Sequence, residues 1–400
     1  MRHLVIAAAA AALVTTAGVS VARAQESNFA LVDSDVARRF SGWTFTPSLV
    51  YQGAFDDNAL LVFGPDAPSD FQSLVNPRAQ VTYLGRRSEF GADYDGGFEL
   101  YRDLNSLNSY NQHASVSGRR LLTPHIAIWA RNAFASVPTT ELLNFFAVPF
   151  IRTGSSLDDL RGGLDVALTK FTSMTVSYNF EWVKFDPTQP FGALLEGGHS
   201  HGGAATVKHQ LSPSLSVTGE YTLQHATLVN GGTFDVQNAD AGVEYKLLPE
   251  TTVSGAFGVS RLGATELGDA RLGPLWHAAI NHRMRDVMIA GSYSRSYVPA
   301  FGFGGTFQNE ELMGTAKAPL ARRVYVQTSV AWRRNEPLAV GGLRLKSTWF
   351  EATVGYAVQP WVHLEGFFSD ANQAIDRAGG QIGHTRVGFQ VVTSKPMRIR

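Results

Sequence analysis

The sequence predicts an all-β protein, a transmembrane antiparallel up-and-down β-barrel of about 18 strands, with 16 strands as the alternative. Three observations predict this fold. Apolar and polar residues alternate with a period of two along most of the 400-residue chain, short turns recur at regular intervals, and the N terminus has the form of a secretory signal. A chain with 17% charged and 11% aromatic residues is also unlike a disordered protein.

Residues 1–24 have the form of a cleaved signal peptide. Residues 1–3 carry a positive charge, residues 4–14 are an unbroken apolar run, and Ala22-Arg23-Ala24 is a small-residue cleavage site. An uncleaved N-terminal anchor is the alternative, but the apolar run is short for crossing a bilayer. Cleavage leaves 32 basic and 34 acidic residues. This balance argues against a nucleic-acid partner.

The segment 214–224 shows the strand pattern clearly. Its odd-numbered residues, such as Val217 and Tyr221, are apolar or glycine, whereas its even-numbered residues, such as Thr218 and Glu220, are polar. Strands with one apolar and one polar face have this period. The same split recurs along the chain, and the apolar face often carries an aromatic residue near a strand end, as at Trp182, Trp332 and Tyr356.

Eight short turns, most of them containing proline, recur about every 35 to 48 residues, and each interval holds two strands and one longer loop. An opening strand near 43–55 and a closing strand near 382–392 bring the predicted count to 18. A soluble β-sandwich would bury one face of each strand in a shared core, and the second face here is too polar for that. A β-propeller has a similar repeat length but four shorter strands per repeat.

The predicted organisation has four parts. Residues 1–24 are the cleaved signal peptide, 25–42 a short periplasmic segment, 43–392 the barrel and 393–400 a C-terminal tail. An even number of strands places both chain ends on the periplasmic side. We therefore expect the protein in the outer membrane, surrounded by outer-membrane lipid.

The start of the barrel carries Phe45-Thr-Pro-Ser-Leu-Val-Tyr51, followed by Phe55-Asp-Asp-Asn58. These residues resemble the start of the β-barrel porin-2 group, bacterial outer-membrane proteins of which some are linked to exopolysaccharide or exosortase systems. The hairpin pattern extends the resemblance over about residues 43–392. It implies insertion by the barrel-insertion machinery, which usually reads an aromatic residue in the last strand. Here Val387, Phe389 and Val391 fit the outward face, and a basic tail follows them.

The polar strand faces are predicted to line the barrel lumen with charges of both signs. One interpretation is a water-filled lumen in which a transverse field acts on polar solutes, and the other is a salt-bridged interior that only fills space. Barrels of this size usually keep an aqueous channel, which favours the first interpretation. The candidate lumen-lining residues are Arg78, Asp93, Asp95, Arg131, Asp165, Glu181, Lys208, Glu220, Glu244, Arg333, Glu351, Glu365 and Arg386.

The loop at about 137–156 is unusually apolar for a surface loop. It either folds inward as a constriction or packs over the rim, and the sequence favours neither direction. The candidate constriction residues are Leu142, Leu143, Phe145, Phe146 and Phe150.

Two motifs suggest metals. His199 and His201, between glycine pairs, form an H-x-H, but two ligands are too few for a closed site, so we interpret the segment as a flexible rim turn. Asp56-Asp57-Asn58 has the residue types of a weak calcium site, but an ordinary acidic turn is the simpler interpretation. No metal site and no cofactor are predicted.

An enzyme is not expected either. Asp93 and Asp95 share one strand face, as in a barrel protease, but the matching Asp-x-His is absent from the sequence, as is a phosphate-loop motif. The predicted function is a porin-like passive channel for small polar solutes. The alternative is a structural or secretion-associated barrel in exopolysaccharide export. The sequence leaves the oligomeric state open.

Overall fold

A computed structural model describes residues 42–64, 66–140, 148–188, 192–264, 269–285, 287–299, 301–303, 305–338, 342–376 and 380–399. The predicted signal peptide and residues 25–41 lie outside this part of the chain. Among the described residues, no helix is long and apolar enough to cross a membrane. The only described helical segments are two short 3₁₀ turns, Asn105–Leu107 and Gly192–Leu194.

The described chain is built almost entirely from long strands, as the period-two alternation predicts. Most strands have 12 to 16 residues, which is long enough to cross a bilayer when tilted. The strands are β1 (Gly42–Asp56), β2 (Asp70–Leu84), β3 (Ser88–Tyr101), β4 (Ser109–Thr123), β5 (Ile126–Val137), β6 (Ser155–Ala167), β7 (Thr172–Phe185), β8 (Gly198–Gln210), β9 (Leu215–Leu228), β10 (Thr233–Leu248), β11 (Thr251–Leu262), β12 (Arg271–Met284), β13 (Val287–Pro299), β14 (Thr306–Ala321), β15 (Val324–Pro337), β16 (Leu345–Gln359), β17 (Val362–Ile375), β18 (Gly380–Ser394) and β19 (Met397–Ile399).

The sheet closes on itself. Every strand from β1 to β18 pairs antiparallel with its neighbours in sequence, and β1 also pairs with β18 from Ser48–Ser394 to Asp56–Arg386. The short strand β19 continues β18 after a two-residue interruption and pairs with the start of β1. The protein is therefore a closed antiparallel barrel of 18 strands. The predicted fold class is confirmed, and the alternative of 16 strands is wrong.

The two ends of the barrel differ. Eight connections, from β2–β3 to β16–β17, are short, and we call their side the short-turn end. The other connections are mostly longer and form the long-loop end. The start of β1 pairs with the end of β2, beside a short turn, so both ends of the described chain lie at the short-turn end.

The outer surface is an apolar band. Outward positions alternate with inward ones along each strand, and large apolar side chains such as Val330, Phe350 and Tyr356 are exposed there. Aromatic pairs strengthen this surface, for example Phe257 and Trp276, whose ring centroids are 4.5 Å apart. An exposed apolar surface that surrounds the whole barrel matches the hydrocarbon layer of a membrane.

The C-terminal segment predicted as a tail is largely strand. β18 runs to Ser394, and residues 397–399 add three further pairs with β1, including Trp43 with Ile399. Val387 and Phe389 face outward, and Met397 and Ile399 are exposed beyond them.

Candidate functional site: the barrel interior

The structure places all thirteen candidate lumen residues on the strand face opposite the exposed apolar side chains. Glu220, for example, alternates with Gly219 and Tyr221, and Tyr221 is exposed on the outer surface. The register confirms that such residues share one face, because Arg78 pairs with Asp95 and Arg131 pairs with Arg161. Their role in a solute path remains a proposal.

Ion pairs join many of these residues to partners on the neighbouring strand or on the next strand but one. Lys208 Nζ lies 2.9 Å from Glu244 Oε1, and Arg78 contacts Asp93 at 3.8 Å. The buried guanidinium of Arg333 pairs with Glu311 and lies over the Trp349 ring. These pairs hold long charged side chains against the barrel wall.

Several members of this network were not among the predicted lumen residues. Arg119 pairs with Asp165 at 2.9 Å, and His113 Nδ1 lies 3.1 Å from Asp95 Oδ1. Glu311, the partner of Arg333, was also missed. Each lies at an inward position of its strand, so a complete count of inward parity would have found them.

Carboxylates are concentrated on the wall formed by β6 to β10. Glu220 lies directly opposite Asp240, and Asp159 lies directly opposite Glu181. Like charges in directly opposed positions destabilise a sheet. Arg161 compensates one pair through a 2.7 Å contact with Asp159, and Thr206 Oγ1 donates a hydrogen bond to Glu220. This part of the wall is therefore acidic.

The middle of the inner wall is accessible to water. The side chains of Arg78 and Asp93 keep 23% and 25% of their accessible surface, and the Lys208–Glu244 pair is similarly exposed. An interior filled by its own side chains would bury such groups. The middle of the barrel is thus a hydrated, charged space rather than a packed core.

The long-loop end of the interior is different. Here buried apolar residues at inward positions near the ends of nine strands pack with apolar residues from four loops, and we call this set the outer apolar cluster. It comprises Leu61, Val137, Val148, Phe150, Ile151, Val183, Phe185, Leu195, Leu228, Phe234, Val298, Phe301, Phe307, Leu345, Ala371, Ile375 and Ile382.

One part of the predicted constriction loop enters this cluster. Residues 148–152, which we call the inner strap, lie in the β5–β6 loop, and Phe150 is only 4% exposed. Its backbone N–H donates to Gln373 Oε1 at 2.8 Å, and its ring lies 5.1 Å from that of Trp349. The inner strap therefore reaches β16 and β17, strands distant from β5 and β6 around the barrel.

Further bonds anchor the inner strap. Gln373 Nε2 donates to Val148 O at 3.1 Å and to Ser347 Oγ at 3.0 Å. Arg152 donates to Ala59 O at 3.0 Å and to Tyr101 Oη at 2.6 Å. Leu142, Leu143, Phe145 and Phe146 lie outside the described residues, so the inward direction is observed only for the inner strap.

Two other loops meet across the long-loop end. Glu196, after β7, forms an antiparallel bridge with Gly302, after β13, and the two backbone bonds measure 2.5 and 2.8 Å. Asn230, after β9, donates to Glu196 Oε1 at 2.9 Å. Loops from distant parts of the barrel wall are thus joined, and together with the outer apolar cluster they cover this end of the interior.

The outer apolar cluster contradicts one prediction made from the sequence. The inner face was interpreted as too polar for a core, and that is wrong at the long-loop end. Val183 and Phe185 at the end of β7, and Phe234 and Val236 at the start of β10, occupy inward positions at the long-loop end, where they are buried. The alternation was read as uniform along each strand, which hid this change of polarity.

The H-x-H motif was also misplaced. His199 and His201 lie within β8 rather than in a rim turn, and both face outward. His201 Nδ1 is 2.6 Å from Tyr178 Oη, and His225 lies opposite His201 on β9. In the described part of the chain, no group of three or more potential metal ligands converges.

Asp56-Asp57-Asn58 is a structural clasp rather than an open turn. Asn58 Nδ2 donates to Val62 O and to Gly383 O, both at 2.9 Å, and Asp57 Oδ1 accepts from Thr385 N–H at 2.6 Å. Asp56 pairs with His384 Nδ1 at 3.2 Å. The carboxylate oxygens of Asp56 and Asp57 therefore bind residues of β18 and hold the seam between β1 and β18 together.

No protein-family model matches the chain, and no curated protein matches it. Solved structures similar to it include Acinetobacter baumannii OccAB4, at 9% identity and a TM-score of 0.47 over 89% of this chain and 99% of that one. Pseudomonas aeruginosa OccK3 (OpdO) shows 11% identity and a TM-score of 0.46 over 89% and 96%. The P. aeruginosa outer membrane protein OpdK shows 10% identity and 0.45 over 88% and 99%.

Likenesses at this level assign no activity to the chain. The resemblance to the β-barrel porin-2 group, with its exopolysaccharide link, gains no support from any of the comparisons. The structure itself shows a closed 18-strand barrel with accessible charged side chains on its inner wall and an apolar cluster at the long-loop end.

Proposed function

We propose that this barrel is a porin-like passive channel of the outer membrane for small polar solutes. The observation that supports the proposal is the hydrated inner wall, where charged pairs such as Arg78–Asp93 and Lys208–Glu244 remain accessible to water. A barrel of 18 strands is too wide for its own side chains to fill, so its unoccupied middle offers a path for solutes.

The outer membrane is the location that fits the surface of the barrel. A closed ladder leaves no backbone edge exposed to lipid, and the outward face carries large apolar and aromatic side chains. The predicted signal peptide would bring the chain to the periplasm, where the barrel-insertion machinery would act on it. The short-turn end then faces the periplasm and the long-loop end faces the cell exterior.

The acidic wall supports a preference for neutral and cationic solutes. Glu220 and Asp240 face each other on β9 and β10, close to Lys208 and its partner Glu244. Most inner cations are already engaged by a carboxylate, as in the Arg119–Asp165 and Arg333–Glu311 pairs. A pore lined mainly by carboxylates raises the local concentration of cations.

The outer apolar cluster makes this a channel that is closed at its exterior end in the described conformation. Hydrophobic constrictions stop conduction by excluding water. Opening requires the inner strap, or the loops joined by the Glu196–Gly302 bridge, to leave the axis. Solute flux is therefore set by this cluster rather than by the wide charged space beneath it.

Single-channel recording of the purified protein in planar bilayers tests the proposal. We expect discrete openings, with reversal potentials in a salt gradient that indicate cations as the preferred carriers. Replacement of Glu220 by Gln together with Asp240 by Asn should reduce this preference while leaving openings intact. A folded barrel that stays silent, even after the inner strap has been released by mutation, would exclude the channel function.

A further inference from the structure

The short-turn end carries a strong excess of positive charge. Eleven exposed Arg and Lys residues are described there, against two exposed carboxylates, Glu89 and Glu250. The basic residues are Arg86, Arg87, Arg120, Lys170, Lys246, Arg283, Arg285, Arg322, Arg323, Lys395 and Arg398. The chain as a whole has a formal charge of zero, so this excess reflects placement rather than composition.

The long-loop end shows no such bias among its described residues. Five exposed cations there are balanced by five exposed carboxylates. The cations are Arg102, Lys184, Arg261, Arg271 and Lys346, and the carboxylates are Asp57, Asp66, Asp103, Asp235 and Asp269. The exposed charge is therefore polarised along the barrel axis.

The cations are spread around the barrel instead of forming one patch. Six of the eight short turns carry at least one in the turn or beside it, and the segment around β19 adds two more at the seam. The remaining turns, β8–β9 and β16–β17, carry the exposed apolar residues Leu211 and Trp361. The arrangement is a ring, which we call the basic collar.

Exposed apolar side chains accompany the basic collar. Leu168 and Leu320, next to turns, are 55% and 65% exposed, and Phe171 is exposed beside Lys170. Lys170 Nζ lies 4.8 Å from the centroid of the Phe171 ring. Apolar residues just below a ring of cations match the boundary between acyl chains and lipid headgroups, where long basic side chains extend toward phosphate.

We infer that the basic collar binds the headgroups of anionic phospholipids in the leaflet at the short-turn end. A ring with cations at most turns fits a shell of lipids that surrounds the barrel. A single acidic protein partner would instead favour one continuous patch. Each Lys or Arg near an anionic lipid surface contributes roughly a fivefold gain in association, and the effect fades over a Debye length.

Spin-label electron paramagnetic resonance on the reconstituted barrel measures this preference directly. The fraction of motionally restricted lipid is compared for spin-labelled phosphatidylglycerol and phosphatidylcholine, at about 20 mM and about 500 mM NaCl. We expect the wild-type barrel to favour phosphatidylglycerol by more than about twofold at low salt, and to lose most of this preference at high salt.

The decisive variant is Arg86→Gln/Arg87→Gln/Arg322→Gln/Arg323→Gln, which removes four turn cations. It should lower the phosphatidylglycerol preference to about half of the wild-type value or less. The matched control removes four cations from the long-loop end and should leave the preference unchanged. Its substitutions are Lys184→Gln, Arg261→Gln, Arg271→Gln and Lys346→Gln.

Replacing the same four turn arginines by lysine keeps the charge and should keep the preference. Its loss in that variant would show that charge is not the cause and would overturn the inference. So would an equal effect of both glutamine variants, or the absence of any lipid preference in the wild type. In the last case an acidic protein partner becomes the better occupant. The salt dependence of the wild type needs no variant, so misfolding of a mutant cannot hide the answer.

Discussion

Gln373 is the residue through which closure of the lumen can be tested most directly. Its side chain is buried on β17, accepts from Phe150 N–H at 2.8 Å and donates to Val148 O at 3.1 Å. In Gln373→Ala both backbone groups of the inner strap would be left without these partners while the strap stays in place. Each orphaned buried group costs about 1–3 kcal/mol.

The closed position should therefore lose at least about 2 kcal/mol relative to any position in which the inner strap is hydrated. This corresponds to roughly a thirtyfold increase in the ratio of open to closed channels. The measurement is the open probability in planar bilayers. The barrel should remain intact, because no ladder bond between strands depends on this side chain.

Gln381→Ala is the matched control. Gln381 lies on the neighbouring strand at the same end of the barrel, but it is exposed on the outer face, where it donates to Asn372 Oδ1 at 3.0 Å. We expect an unchanged open probability. If Gln373→Ala and the wild type both conduct with the same open probability, the inner strap does not close the channel and the reasoning fails.

Three further predictions concern the barrel itself. Val217→Arg places a charge on the lipid face and should lower the free energy of unfolding by about 2–4 kcal/mol if the residue lies near the midplane. Thr218→Arg faces the lumen and should lower it far less. Equal losses of stability in urea titrations would mean that the two faces are misassigned. The chain has no native cysteine. Val229→Cys at the long-loop end should therefore react with an impermeant maleimide on intact cells, whereas Ser212→Cys in a short turn should not. Labelling of both residues would refute the orientation. Asn58→Ala removes the hydrogen bonds to Val62 and Gly383 and should destabilise the barrel by about 1–3 kcal/mol. The measurement is the temperature at which the barrel unfolds, followed by its heat-dependent mobility in gel electrophoresis. An unchanged unfolding temperature would show that the clasp is dispensable.

Local pattern was enough to predict the strands and their two faces. The period of two decides which side chain points outward, and a proline-containing turn such as 211–214 ends a strand wherever it occurs. For that reason Glu220 and Arg386 could be assigned to the inner face before any contact was known. The same rule assigns Arg119 to the inner face, although Arg119 was not among the predicted lumen residues.

Closure of the long-loop end could not be predicted in this way. Phe150 and Gln373 are 223 positions apart, and no short window of sequence relates them. The bridge between Glu196 and Gly302 likewise depends on where two loops lie in space. His199 and His201 show the opposite error, because a glycine-rich composition suggested a turn although the strand alternation continues through it.

The seam between β1 and β18 gives this fold a particular dependence on the end of the chain. Ser48 Oγ donates a hydrogen bond of 2.8 Å to Ser394 Oγ, and the two residues are 346 positions apart. The ladder between β1 and β18 therefore stays open until β18 is in place. The entropic cost of closing a loop rises only slowly with the length of the loop. The large separation of β1 and β18 in the sequence therefore slows closure of the barrel more than it destabilises the closed barrel. Until then, the unpaired edges of the growing sheet can pair with strands of other chains. The Asp56-Asp57-Asn58 clasp binds residues of β18 directly, and so it forms only when β18 is in place.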